Sequence, residues 1–76
     1  MKLKPITAKK LIKLLSKIGF KVIRQKGSHA SLRHPDGRRT VIPIHPTEKM
    51  DRSLLRKIIK EIELTREEFI KLLEDY

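Results

Sequence analysis

Lys26-Gly27-Ser28-His29-Ala30-Ser31-Leu32-Arg33 is the stretch whose reading decides the fold. Lys26 and Gly27 make a short basic turn, and the residues after it alternate between polar and apolar. A strand sends successive side chains to opposite faces. His29, Ser31 and Arg33 therefore share one polar face, while Ala30 and Leu32 share the other. A titrating side chain on a polar strand face, just past a glycine turn, is poorly explained by packing. His29 is the first candidate for chemistry.

Working outward, Phe20-Lys21-Val22-Ile23-Arg24-Gln25 is rich in β-formers and reads as the strand before the turn. Residues 28–34 make the second strand, and Pro35-Asp36-Gly37 turns the chain again, with glycine free to take positive φ. Residues 39–44 make the third. Two tight connections imply an antiparallel meander, and Pro43 places the end of the third strand at an edge or outside the ladder.

Helices flank the meander. Pro5-Ile6-Thr7 opens the first, with Thr7 as N-cap. Leu11, Ile12, Leu14, Leu15 and Ile18 recur at helical spacing, and Gly19 is a natural stop. His45-Pro46-Thr47-Glu48-Lys49-Met50 reads as a loop, and Asp51 caps a second helix whose stripe is Leu54, Leu55, Ile58, Ile59 and Ile62. Thr65 and Glu68 form a capping box for a short third helix, with Leu64 stapled onto Phe69. Phe69, Leu72, Leu73 and Tyr76 line one of its faces. The fold class is α+β, in the order α-β-β-β-α-α: a three-stranded antiparallel sheet with helices on one face and the other face open. Residues 1–76 make one domain, its core spanning about 6–62 and its last helix about 65–75.

Seventy-six residues leave room for one small core, and 38% hydrophobic content is too high for a disordered basic tail. The chain has no cysteine, which removes disulfides and thiolate metal sites. No apolar run reaches the roughly 20 residues of a membrane span, and Met1-Lys2-Leu3-Lys4-Pro5 is no signal peptide, so a cytoplasmic protein is expected. The net charge of +10 is unevenly placed. Residues 1–60 hold 17 Lys and Arg against 3 Asp and Glu, a balance of +14; residues 61–76 hold 2 against 6, a balance of −4. Such a basic body suits a polyanion, with nucleic acid first among partners. Lys9, Lys10, Lys13 and Lys17 are accounted for by solvation of a helix face. Arg24, Lys26, Arg33, Arg38 and Arg39 fall among the strands near His29, where helix amphipathicity explains nothing.

Histidine can accept and donate protons near neutrality. RNA carries its own nucleophile in the 2′-hydroxyl, so its cleavage needs mainly a base, an acid and charge stabilisation. Lys26 and Arg33 are placed to hold the phosphate, and the amides of Gly27 and Ser28 to approach it. The plainer reading of His29 is a surface histidine in a turn. His34, before Pro35, reads as a turn residue. His45 either braces its loop or supports the site. A zinc centre is not expected, because histidines spaced by 5 and 11 residues match no standard ligand pattern and no cysteine or carboxylate completes a set. Only Asp36 and Glu48 are nearby acids, which argues against a Mg²⁺-dependent nuclease. Ser28 and Ser31 form no triad with His29, since no orienting acid is apparent.

With these residues in place, the chain resembles the HicA family of small mRNA-interferase toxins over roughly residues 6–73. The likeness is carried by Arg24-Gln25-Lys26-Gly27-Ser28-His29 with its Gly-Ser-His, by the His34-Pro35 turn and by Val41-Ile42-Pro43-Ile44-His45. Leu55-Arg56-Lys57-Ile58-Ile59 and Leu64-Thr65-Arg66-Glu67-Glu68-Phe69 continue it. The chain departs from the pattern at Ser53-Leu54, where many members have Gly-Thr. The resemblance implies a fold like that of double-stranded-RNA-binding domains and a ribonuclease that cleaves mRNA, with His29 as the catalytic residue. It also implies a HicB-type antitoxin partner. The resulting expectation is a toxin-type endoribonuclease that needs no metal or other cofactor. Its rivals are a non-catalytic RNA-binding module using the same basic face, and a protein-interaction domain whose charge serves an acidic partner.

Overall fold

A computed structural model of the chain describes residues 6–44 and 50–75. Their order is α1 (Ala8–Lys17), β1 (Lys21–Lys26), β2 (His29–Arg33), β3 (Arg39–Pro43), α2 (Arg52–Glu61) and α3 (Arg66–Glu74). The three strands form one antiparallel sheet in the order β1-β2-β3. The α+β layout expected from the sequence is the one observed. Pro5, residues 45–49 of the expected loop, His45 among them, and Tyr76 lie outside the described residues.

Each helix starts where its capping residue stands. The side chains of Thr7, Asp51 and Thr65 accept hydrogen bonds from the backbone N–H groups of Lys10, Leu54 and Glu68. Such a cap satisfies one of the four N–H groups that a helix N-terminus leaves unpaired, worth about 1 kcal/mol. At Thr65 the capping box closes, because the Glu68 carboxylate accepts from the Thr65 N–H at 2.8 Å. The start of α2 is unaffected by Ser53-Leu54: Asp51 sets it.

The first two helices end alike. After α1, the N–H of Phe20 donates to the carbonyl of Leu15 and that of Gly19 to Ser16, with Gly19 at φ +104°. After α2, Leu64 donates to Ile59 and Glu63 to Lys60, with Glu63 at φ +56°. Both are Schellman stops, which need a left-handed residue just past the C-cap. Gly19 takes that conformation without strain; Glu63 carries a Cβ there.

The apolar stripes meet beneath the sheet. Leu11, Leu14 and Leu15 of α1, Leu55, Ile58 and Ile59 of α2, Ile62 beyond it, and Phe69 of α3 are buried. They pack with Ala30 and Leu32 of β2 and Ile42 of β3 in one cluster that also takes in Phe20 and Met50. Alternation along β2 and β3 turns these residues inward and leaves the others outside. Pro43 is the last residue of β3, an edge strand, where its missing N–H costs no ladder bond. Thr40 is the buried polar residue among these, and its hydroxyl donates to the Glu61 carboxylate of α2 at 2.8 Å.

The Pro35-Asp36-Gly37 turn is fastened to the helix ends. His34 Nε2 lies 2.9 Å from the Ile18 carbonyl at the C-cap of α1. Arg38 donates to the Ile62 carbonyl, 2.7 Å away at the C-cap of α2. Phe20 sits between them, edge-on to the His34 ring and beneath the Arg38 guanidinium. The turn reading of His34 holds. The grouping of Arg38 with the cations near His29 does not: Asp36, Ile62 and Phe20 hold it on the helix side of the sheet.

Candidate active site on the open sheet face

Gly27 and Ser28 join β1 to β2 by the shortest kind of hairpin loop. Gly27 has φ +58°, and Ser28 is not among the positive-φ residues. Glycine first and an ordinary residue second is the demand of a type II′ turn, whose twist matches that of the strands. A Cβ added at Gly27 would meet no atom within 4 Å. Glycine is needed there for its backbone conformation, not for room. The Ser28 carbonyl is taken by the N–H of Ile44.

This turn fixes the register and so brings Lys26 opposite His29. Residues directly opposite share a face, their Cβ atoms about 5 Å apart. The open face is therefore built in three rungs. Lys26, His29 and Pro43 form the rung at the turn; Arg24, Ser31 and Val41 form the middle rung; Lys21, Arg33 and Arg39 form the third. His29, Lys26 and Arg33, chosen from sequence, lie on one surface, with His29 beside Lys26 and Arg33 two rungs away.

A bulge makes this arrangement possible. Val22 pairs with Leu32 and Arg24 with Ser31, so Ile23 is an extra residue in β1. Strict alternation would set Lys21 on one face and Arg24 and Lys26 on the other. The bulge resets the phase, and all three cations face outward. Bulges are enriched beside functional sites because they re-aim side chains in this way. The sequence held a signal: Lys21 is out of step with Arg24 and Lys26, and two apolar residues stand together at Val22-Ile23.

The face is strongly positive. None of the three strands contains an acidic residue. Lys21, Arg24, Lys26, Arg33 and Arg39 are exposed, and their side chains have no hydrogen-bond or ion-pair partner among the described residues. His29 is likewise exposed and unpartnered among them. Arg24 and Arg39, grouped from sequence with the cations near His29, lie on this face, and the pairing register adds Lys21 to them. Among the described residues, no group of three His, Asp or Glu could hold a metal ion, and no helix is long and apolar enough to cross a membrane.

The centre of the face is a shallow depression of about 460 Å³ around Ser31. Ile23 and Val41 line it with 60% and 49% of their surfaces exposed, although both are aliphatic. Arg24, Arg39 and Glu61 border it.

No curated protein matches the chain. The family model for the HicA toxin of bacterial toxin–antitoxin systems matches residues 8–64, which run from the start of α1 past the end of α2 and include every strand. A match over so much of the chain, enclosing the whole His29 face, means that this protein belongs to the HicA toxin family.

Proposed function

We propose that the protein is a metal-independent endoribonuclease that cleaves single-stranded mRNA on its open sheet face, with His29 as its acid–base residue. The observation that carries this reading is an imidazole without a partner among the described residues, set among cations on all three rungs of a sheet whose strands contain no acid. The phosphate backbone lies along the cations, Lys26 and Arg33 contacting it most directly, with the Gly27 and Ser28 amides at the turn. His29 removes the proton from a 2′-hydroxyl, whose oxygen attacks the adjacent phosphorus. The bond to the 5′-oxygen breaks, and that oxygen takes up a proton from water or from the imidazolium. The products are a 2′,3′-cyclic phosphate and a 5′-hydroxyl. Lys26, opposite His29, stabilises the negative charge that grows on the phosphoryl oxygens.

A HicB-type antitoxin is the proposed protein partner, covering His29 and its cations. Charge complementarity with an acidic inhibitor supports direct occlusion. In that case antitoxin and an uncleavable RNA compete, and Lys26→Glu or Arg33→Glu weakens both complexes.

The test is RNA cleavage by pure protein in EDTA, with His29→Ala as the control. Cleavage to cyclic-phosphate ends by the wild type alone is expected. A folded His29→Ala variant that cuts at the wild-type rate ends the catalytic assignment. RNA binding without cleavage by the wild type favours the binding-module reading.

A further inference from the structure

Of the described chain's large aliphatic side chains, Val22, Ile23 and Val41 are the exposed ones. Val22 pairs with Leu32 and so belongs to the core-side face. Ile23 and Val41 are left together on the open face, on either side of Ser31, where they line the depression. Solvation does not explain two aliphatic groups amid five cations, and the core does not use them. Exposed apolar surface rimmed by polar groups marks a binding site.

We propose that this depression seats one unstacked base of the RNA, next to the phosphate presented to His29. The inference rests on the ribonuclease reading and names the part of the substrate that the middle rung recognises. Four features fit a base. Ile23 and Val41 offer aliphatic walls to its two faces. Ser31 supplies a hydroxyl at the floor. Arg24 and Arg39 flank the depression, where they meet the phosphates on either side of the base. Spacing fits as well: Ser31 is two residues from His29 on β2, about 7 Å along the strand, a distance that one extended nucleotide spans.

Glu61 gives the depression a chemical preference. One carboxylate oxygen accepts from the buried Thr40 hydroxyl at 2.8 Å, which anchors the side chain to the sheet. Glu61 borders the depression, and its second oxygen has no hydrogen-bond partner among the described residues. An acceptor there selects a base edge that offers an exocyclic amino group, as cytosine, adenine and guanine do and uracil does not. Glu61→Gln keeps an oxygen for Thr40 and replaces the second acceptor with a donor. The preference then moves toward uracil, whose edge offers carbonyls and no amino group.

The experiment measures affinity for a short single-stranded RNA made uncleavable by 2′-O-methyl groups. A single abasic nucleotide is walked along it, which removes one base and keeps every phosphate. One position is expected to weaken wild-type binding at least several-fold. Ile23→Thr and Val41→Thr, which keep β-branched residues on the strands, are expected to show the same loss with intact RNA and little further loss at that abasic position. Glu61→Gln is expected to shift the preference there toward uracil. Equal weakening at every abasic position, or losses that simply multiply in the threonine variants, overturns the proposal. So does wild-type RNA binding by both threonine variants, and if they also fail to bind the antitoxin, the aliphatic pair is a protein-docking surface. Because the readout is affinity, a protein that never cleaves RNA can still pass or fail this test.

Discussion

The imidazole Nε2 of His34 lies 2.9 Å from the carbonyl oxygen of Ile18, and this contact joins the β2–β3 turn to the end of α1. A carbonyl only accepts, so Nε2 carries the ring proton. Nδ1 then accepts the backbone N–H of Asp36 at 3.1 Å, and a second proton would turn its 2.9 Å contact with the Asp36 carboxylate into an ion pair. A Cβ at Gly19 would fall 2.7 Å from this ring, so the helix stop and the histidine are fitted to each other.

His34→Ala is expected to lower stability by about 2 kcal/mol, from an unsatisfied part-buried carbonyl and a lost ring contact with Phe20. Chemical denaturation measures this directly. Cleavage per folded molecule should stay near the wild-type level, because His34 is on the other side of the sheet from His29. A stable His34→Ala protein that no longer cleaves would move the chemistry to the wrong histidine for this account.

Glu63 stands where Gly19 stands in the other helix stop, at φ +56° and with a carboxylate beside the negative end of α2. Glu63→Gly removes both the left-handed strain and the charge, and in exchange loosens the unfolded chain. The net gain should be up to about 1 kcal/mol, raising the melting temperature by a few degrees. A drop in melting temperature would mean that the Glu63 side chain makes a stabilising contribution of its own.

Much of this architecture was legible because its causes are local. Thr7, Asp51 and Thr65 mark helix starts through hydrogen bonds three residues long, and Gly27 marks a turn through its own φ. The alternation His29-Ala30-Ser31-Leu32-Arg33 sorted β2 between core and open face without any knowledge of its neighbours. Arg38 failed that kind of reading because its partners, Phe20 and the Ile62 carbonyl, are distant in sequence. The three-rung site was hidden for a related reason. Which residues of β1 and β3 stand beside His29 depends on a bulge, and one extra residue reverses the face of every side chain beyond it.

Two carboxylates tie stability to acid. The Arg38 N–H is the main influence holding Asp36 below its ordinary 3.8, with the Arg38 guanidinium adding to it. The Thr65 N–H does the same for Glu68 against its ordinary 4.5. Each group is harder to protonate folded than unfolded, so its contribution is complete above those ordinary values. It is lost as pH falls through the depressed ones. Asp36→Asn and Glu68→Gln should each make the melting temperature fall less steeply as pH drops below about 4. An unchanged acid limb in both variants would place the acid sensitivity elsewhere.

The bulge offers a way to separate charge from shape on the open face. Deleting Ile23 leaves Val22 opposite Leu32 and Arg24 opposite Ser31, so the β1–β2 ladder becomes continuous. Lys21, Arg24 and Lys26 keep their cross-strand partners and their outward direction. Since β1 is an exposed edge strand and Ile23 is outside the core cluster, the deletion should cost no more than about 1–2 kcal/mol. RNA affinity should still fall with salt along the wild-type slope, near −0.7 for each phosphate neutralised, because the same five cations remain. Arg24→Ala, by contrast, should flatten the slope by about one phosphate. What the deletion removes is one wall of the depression around Ser31, so discrimination among bases should shrink while electrostatic binding persists. Salt titrations and a four-base RNA panel on the folded deletion variant check both halves. A flattened slope would show that the bulge serves to aim the cations. An unchanged base preference would show that Ile23 touches no base.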